Sequence, residues 1–237
     1  MQHTHRLSYL AGHMFIDLPE GRFLVDTGSP ASFGDAGTAT YGGRAHELPP
    51  SMGGVDLEAL DGLGLRARIG ARLRGLIGMD VIGTEPVLWD GERGRAIVRP
   101  PAPDAALPRV RFERAFGAAV PVVRGVIGGR EGRLVFDTGA QFGYLASADD
   151  LAHGDDAGNF TDYHPMLGEI ASASTRMQVG LVADAHEAPR VRERFGFHAP
   201  LAERILRPLA LDGILGCSWM PARRVWLLPA ESALVVE

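Results

Sequence analysis

"RFLVDTGSP" spans residues 22–30, and "RLVFDTGAQ" spans residues 133–141. A short apolar run that ends in Asp-Thr-Gly is, taken once, an ordinary strand-to-turn junction, because Asp and Gly both suit turns. At average residue usage the tripeptide occurs by chance in roughly 5% of chains of this length. Two copies, each preceded by Glu-Gly-Arg at the same distance, require a common cause. They stand 111 residues apart (137 − 26), and they identify an internal repeat.

Further blocks recur in the same order. Gly75-Leu76-Ile77-Gly78 matches Gly213-Ile214-Leu215-Gly216 at an offset of 138 (213 − 75). Trp89 aligns with Trp226, and Ala96-Ile97-Val98 with Ala233-Leu234-Val235, at 137 (226 − 89). The change of offset places about 27 extra residues in the second copy, between its Asp-Thr-Gly and its Leu-Gly. The stretch "RPPAPDAALP" (99–108) has four prolines and no apolar period, as expected of a linker. Two lobes are therefore expected, at 1–99 and 108–237.

Local signals are mostly β. Phe23-Leu24-Val25 and Leu134-Val135-Phe136 read as buried strands. Thr38–Leu48 reads as a hairpin around Gly42-Gly43, and Tyr163–Gly180 as a longer one near Gly168. Two short helices are expected, one capped by Ser147 and running through Leu151, the other over Pro200–Leu209 with Leu201, Ile205 and Leu209 on one face.

Composition narrows the function classes. The formal net charge is −5, and all 24 basic residues are arginine, scattered along the chain. No basic patch for nucleic acid is present, and the arginine-only usage fits a GC-rich bacterial genome. No apolar run nears the roughly 18 residues that span a bilayer, and the N-terminus lacks a signal-peptide pattern. The lone Cys217 fits a reducing compartment, so a cytoplasmic location is expected. His3 and His5 lack zinc-ligand spacing, and the Asp149, Asp150, His153, Asp155, Asp156 group lacks the spacing of a calcium loop. No metal or cofactor is expected.

A carboxylate at the end of a buried strand, followed by Thr-Gly, is held on a tight turn. If two such turns face each other, their carboxylates cannot both ionise easily and share a proton. One then acts as general base toward water while the other, protonated, polarises a carbonyl. "FLVDTGS" followed by "LIG", and "LVFDTGA" followed by "ILG", resemble the aspartic peptidase superfamily of the pepsin and retropepsin clan. The chain looks like two retropepsin-like units fused.

The resemblance implies a mostly β, two-lobed acid-protease fold with a pseudo-twofold axis. It implies Asp26 and Asp137 as the catalytic pair, with Thr27, Gly28, Ser29, Thr138 and Gly139 as active-site support. It also implies an extended peptide substrate, cut by a monomer. Pro30 replaces a residue that would carry an N–H, which removes one possible hydrogen bond near Asp26. The stretch before Asp26 is long enough for an entry hairpin and too short for an inhibitory pro-segment. A covering hairpin (flap) is expected at "YHPMLGE" (163–169), with Tyr163, Met166 and Gly168, or alternatively at Tyr41-Gly42-Gly43. The alternative function is a weak or inactive peptidase homologue that acts as a peptide-binding module.

Overall fold

The computed structural model describes residues 1–60, 72–117, 119–164, 167–184 and 189–237. In the first half the strands are β1 (His3–Leu10), β2 (His13–Leu18), β3 (Gly21–Val25), β4 (Phe33–Gly34), β5 (Thr38–Tyr41), β6 (Arg44–Glu47), β7 (Leu73–Ile77), β8 (Val87–Asp90) and β9 (Arg95–Val98). In the second half they are β10 (Arg109–Ala115), β11 (Val120–Ile127), β12 (Arg130–Phe136), β13 (Gly143–Leu145), β14 (Asp155–His164), β15 (Gly168–Leu181), β16 (Arg190–Phe197), β17 (Gly213–Leu215), β18 (Arg224–Leu228) and β19 (Ala233–Val236). The fold is mostly β and two-lobed, with short helices. No helix among the described residues is long and apolar enough to cross a membrane.

The two halves repeat one topology. Strands β1, β2 and β3 form an antiparallel meander, as do β10, β11 and β12. The strand that leads into each Asp-Thr-Gly then pairs in parallel with a later one, β3 with β7 and β12 with β17. Strands β1 and β10 each do two jobs. Residues 3–6 of β1 pair with β9, and residues 6–10 pair with β2; Arg109–Arg111 of β10 pair with β19, and Phe112–Ala115 with β11.

The halves join through a continuous antiparallel sheet in the order β1-β9-β8-β18-β19-β10. Its centre is the β8·β18 pair, where Leu88 faces Trp226 and Trp89 faces Val225. Both faces are covered, so β18 reads as a near-continuous apolar run rather than an alternating one. On the inner face Trp89 and Trp219 each lie 6.2 Å from the Phe136 ring. On the outer face Leu88, Ile97, Trp226, Leu228 and Val235 form a separate cluster. Each fully buried ring contributes on the order of 2–3 kcal/mol.

The register corrects the Trp alignment read from the sequence. Val87 pairs with Val98 in one half and Val225 with Val236 in the other, so equivalent positions differ by 138 (225 − 87), as at the Leu-Gly block. Leu88, not Trp89, is the counterpart of Trp226. A one-residue slip in a strand changes the face of every side chain, and the two tryptophans accordingly lie on opposite faces.

Both expected helices differ from their sequence reading. The first is a 3₁₀ segment, Asp149–His153, whose Asp149 N–H donates to Ser147 Oγ at 3.3 Å. The second runs from Ala199 to Leu209 but contains a π turn over Ala202–Leu206. The extra residue in that turn rotates the rest of the helix about its axis. Leu206 is therefore buried and Leu209 exposed. The Thr38–Leu48 hairpin forms as expected, as β5 and β6 around Gly42-Gly43. The acidic group after Ser147 makes surface ion pairs, Asp150 with Arg130 and Asp155 with Arg192.

Candidate active site

Each Asp-Thr-Gly turn is clamped at both ends by the parallel strand behind it. Asp26 N–H donates to Ile77 O at 3.0 Å, and Asp137 N–H donates to Leu215 O at 3.0 Å. Past each turn, Met79 N–H donates to Ser29 O (2.9 Å) and Cys217 N–H to Ala140 O (3.1 Å). Gly78 and Gly216 lie so close to the backbone at Ala31 and at Phe142 that neither place has room for a Cβ. This is the physical reason for apolar-apolar-Gly downstream of each turn.

The two turns are also locked to each other. Thr27 N–H donates to Thr138 Oγ1 and Thr138 N–H to Thr27 Oγ1, both at 3.0 Å. The hydroxyls donate onward to the opposite strand, Thr27 to Phe136 O at 2.6 Å and Thr138 to Val25 O at 2.8 Å. Both threonines are fully buried, so every donor and acceptor of the lock is matched away from water.

This lock brings Asp26 and Asp137 together, and their carboxyl groups share a side-chain hydrogen bond. A methyl group at Gly28 would overlap the Asp137 carboxyl, and one at Gly139 would overlap that of Asp26. Ser29 N–H donates to Asp26 Oδ1 at 2.9 Å. Gly139 and Ala140 N–H donate to Asp137 Oδ1 at 2.9 and 3.1 Å. Pro30 leaves the Ser29 contact intact. The Ser29 hydroxyl turns away and donates to Ala31 O at 2.7 Å.

Burial pushes both carboxyls above the ordinary Asp range, and for Asp26 the neighbouring Asp137 charge pushes further. Backbone N–H groups oppose this at both residues. Two carboxyls this close, both with raised pKa values, favour sharing a proton.

The dyad lies between two recesses that share Asp26, Asp137 and His164 in their walls. The larger, about 280 Å³, is apolar, with Phe33, Met52 and Leu76 from one half and Leu201, Leu206 and Ile214 from the other. The smaller, about 120 Å³, has a mixed lining, with Gln141 and Asp162 beside Ile170, Leu201 and Ile214. His13 borders it, and its Nδ1 donates to Gly139 O at 2.9 Å.

The two hairpins considered as covers lie in different places. The end of β14·β15 carries His164 to the dyad, with Tyr163 paired to Glu169 and His164 to Gly168 in the ladder. The Tyr163 side chain and Met166 lie outside the described residues. Tyr41 lies elsewhere. It is buried, stacks on His5 at 5.7 Å, and does not line either recess. Its turn is tied to the shared sheet by Arg99 Nη2, which donates to Gly42 O at 2.6 Å.

Two buried groups lie behind the second turn. Burial pushes the Cys217 thiol up, so it stays protonated, and its Sγ donates to Gly12 O at 3.4 Å. Glu193, on β16, accepts from Ser218 Oγ at 2.5 Å and from Arg194 N–H at 2.6 Å. Its burial raises its pKa to about 7. Sequence reading missed His13, His164 and Glu193. Only His164 had a signal, its place in "YHPMLGE".

The strand topology and the paired turns define the two-lobed acid-peptidase class of fold. Among solved structures the chain is similar to basic 7S globulin from soybean, with a TM-score of 0.54 and 11% sequence identity. The match covers 100% of this chain and 94% of that one. At this identity the likeness is one of fold. No family model and no curated protein sequence matches the chain.

Proposed function

We propose that this protein is an aspartic endopeptidase that hydrolyses peptide bonds with Asp26 and Asp137. The observation that carries this reading is the close Asp26–Asp137 carboxyl pair, held face to face by the Thr27–Thr138 lock, with both pKa values raised by burial. A water bound between the carboxyls gives its proton to the ionised one as its oxygen attacks the scissile carbonyl carbon. The protonated carboxyl gives its proton to the carbonyl oxygen, forming a gem-diol. The C–N bond then breaks as a dyad proton passes to the leaving nitrogen. A second proton returns from the gem-diol, and the pair is again singly protonated.

The remaining parts fit this chemistry. An extended peptide lies along the cleft as an added strand, with side chains alternating into pockets. The β14·β15 hairpin covers it and brings His164 over the reacting atoms. A single chain supplies both carboxylates, so a monomer suffices.

The test is incubation of the purified protein with a diverse peptide mixture, with and without a transition-state-mimicking inhibitor of aspartic peptidases. Inhibitor-sensitive cleavage that is absent in Asp26→Asn supports the reading. Peptide binding with no cleavage in any condition replaces it with the peptide-binding module.

A further inference from the structure

The second Asp-Thr-Gly turn is braced by the first hairpin of the other half. That hairpin, β1 to β2, reverses at Ala11 and Gly12, both in the left-handed region (φ 49° and 82°). Three contacts seat it. Cys217 Sγ donates to Gly12 O at 3.4 Å. Gly12 lies so close to the Gln141 side chain that a Cβ would overlap it. His13 Nδ1 meets Gly139 O at 2.9 Å, and the ring is 7% exposed. A carbonyl oxygen only accepts, so Nδ1 carries the proton.

Gly139 O and Ala140 N–H are the two ends of one peptide unit. His13 binds the oxygen, and the N–H donates to Asp137 Oδ1 at 3.1 Å. The unit is planar and stiff, so fixing its oxygen aims its N–H at the carboxyl. A hydrogen bond accepted by the oxygen also polarises the amide and makes the N–H a stronger donor. Stronger donation favours the ionised carboxylate. His13 thus acts on Asp137 through the peptide between them.

The first turn has a different residue at this place. Phe15 pairs with Leu24 and Val122 with Val135, and Leu24 and Val135 each stand two residues before their aspartate. His13 and Val120, two residues earlier on β2 and β11, are therefore counterparts. Val120 is fully buried in an apolar cluster. The peptide unit equivalent to Gly139–Ala140 is Gly28–Ser29, whose N–H donates to Asp26 Oδ1 at 2.9 Å. The Val120 side chain has no proton to offer its oxygen.

We propose that His13 sets the division of labour in the dyad: it holds Asp137 as the ionised carboxyl, the base that takes a proton from water, and leaves Asp26 as the acid that protonates the carbonyl oxygen. His13 is a positioning residue in this scheme. The proposal rests on the endopeptidase reading for the reaction the two roles serve, but the effect of His13 on the carboxyls is measurable without cleavage. Asp26, Tyr144, Asp162 and His164 share the smaller recess with His13 and Asp137. Cys217, with Tyr9 and Glu193 near it, lies against Gly12. All of these stay constant in a comparison of His13 variants.

Nitrogen NMR of the histidine rings in the parent protein gives the first result. Neutral His13 should be protonated at Nδ1, and protonation at Nε2 alone overturns the proposal. Carbon NMR of assigned aspartate carboxyls then follows the dyad across pH in three proteins: the parent, His13→Val, which copies Val120, and His13→Asn, whose amide keeps a donor near the Nδ1 position. Asp137 should be the first of the pair to ionise. In His13→Val that step should rise by about one pH unit, and in His13→Asn it should stay with the parent. Where peptides are cut, the acid limb of kcat/KM should move with it, kcat below the limb falling about tenfold with KM little changed. Asp26 ionising first, an unmoved step in a folded His13→Val, or equal shifts in the valine and asparagine variants each overturn the proposal. If His13→Val does not fold, the ring tautomer, the order of ionisation and His13→Asn decide it. If no peptide is cut, the endopeptidase reading fails alone, and the carboxyl titrations still decide what His13 does to the pair.

Discussion

Thr27 and Thr138 exchange identical hydrogen bonds, each amide donating to the other's hydroxyl at 3.0 Å. The exchange fixes the separation of the two neighbouring aspartates without any contribution from a substrate. Like-charged groups are thus held close by buried neutral ones, and the folded state carries a pH-dependent cost.

That cost has a definite sign. Both carboxyls have folded-state pKa values raised above the unfolded value, which is about 3.9. Their stabilising contribution is complete below the unfolded value and is lost as pH climbs through the raised ones. Asp26→Asn and Asp137→Asn remove the repulsion and keep an oxygen for the backbone donors. Each should lower cleavage by about 10³-fold or more, yet match or exceed the parent's stability at pH 8. The advantage should shrink toward pH 4. Denaturant unfolding across this range checks it, and clear destabilisation of both variants at pH 8 would mean that the carboxyls do not repel.

Gly28→Ala and Gly139→Ala test the closeness of the turns. Each added methyl would displace the carboxyl of the opposite aspartate. Displacement of a catalytic group by about 1 Å costs about 100-fold in rate. The expected result is a loss of that order in kcat, with KM little changed. Steady-state kinetics on one peptide suffices, and parent-like kcat in both variants would contradict the geometry.

Glu193 offers an independent stability test away from the dyad. Its pKa rises to about 7 because it is buried, so its stabilising contribution is complete below about pH 4.5 and is lost as pH rises through 7. Glu193→Gln keeps an acceptor for Ser218 and Arg194 and cannot ionise. It should be more stable than the parent at pH 8.5, by on the order of 3 kcal/mol at most, and close to it at pH 5. Chemical denaturation at the two pH values reads the difference. Equal stability at both would show that Glu193 is not held in a desolvated site.

His164 should set the acid limb of activity. Burial lowers its pKa, His198 lowers it further, and Asp137 and Asp162 raise it. Once protonated, it places a cation beside Asp137 and keeps one carboxyl of the pair ionised to lower pH. His164→Gln should therefore move the acid limb of kcat/KM to higher pH while preserving the alkaline limb. Superimposable pH profiles would exclude this role.

Much of the fold was legible because the decisive contacts are local or repeated. The Asp-Thr-Gly phrases and the apolar-apolar-Gly blocks lie on paired parallel strands in both halves, and sequence alone shows each motif twice. The Trp89–Trp226 match failed for a physical reason: both residues are large and buried, but cross-strand register rather than residue type decides equivalence. The π turn at Ala202–Leu206 was equally hidden, since helical periodicity assumes a constant rotation per residue. His13 and the Tyr144–Asp162 pair reach the site from strands far apart in the chain. Nothing in their neighbourhoods marks them.

The β8·β18 pairing bears on how the chain is made. As synthesis proceeds from the N-terminus, Val87–Asp90 can pair with β9 at once, but its other edge waits for Arg224–Leu228. About 125 residues must leave the ribosome between the two events (224 − 98). During that interval an apolar strand with open backbone groups is available to other chains, and so long a separation slows closure. Nascent chains stalled before Arg224 are therefore the species in which self-association through β8 should be sought.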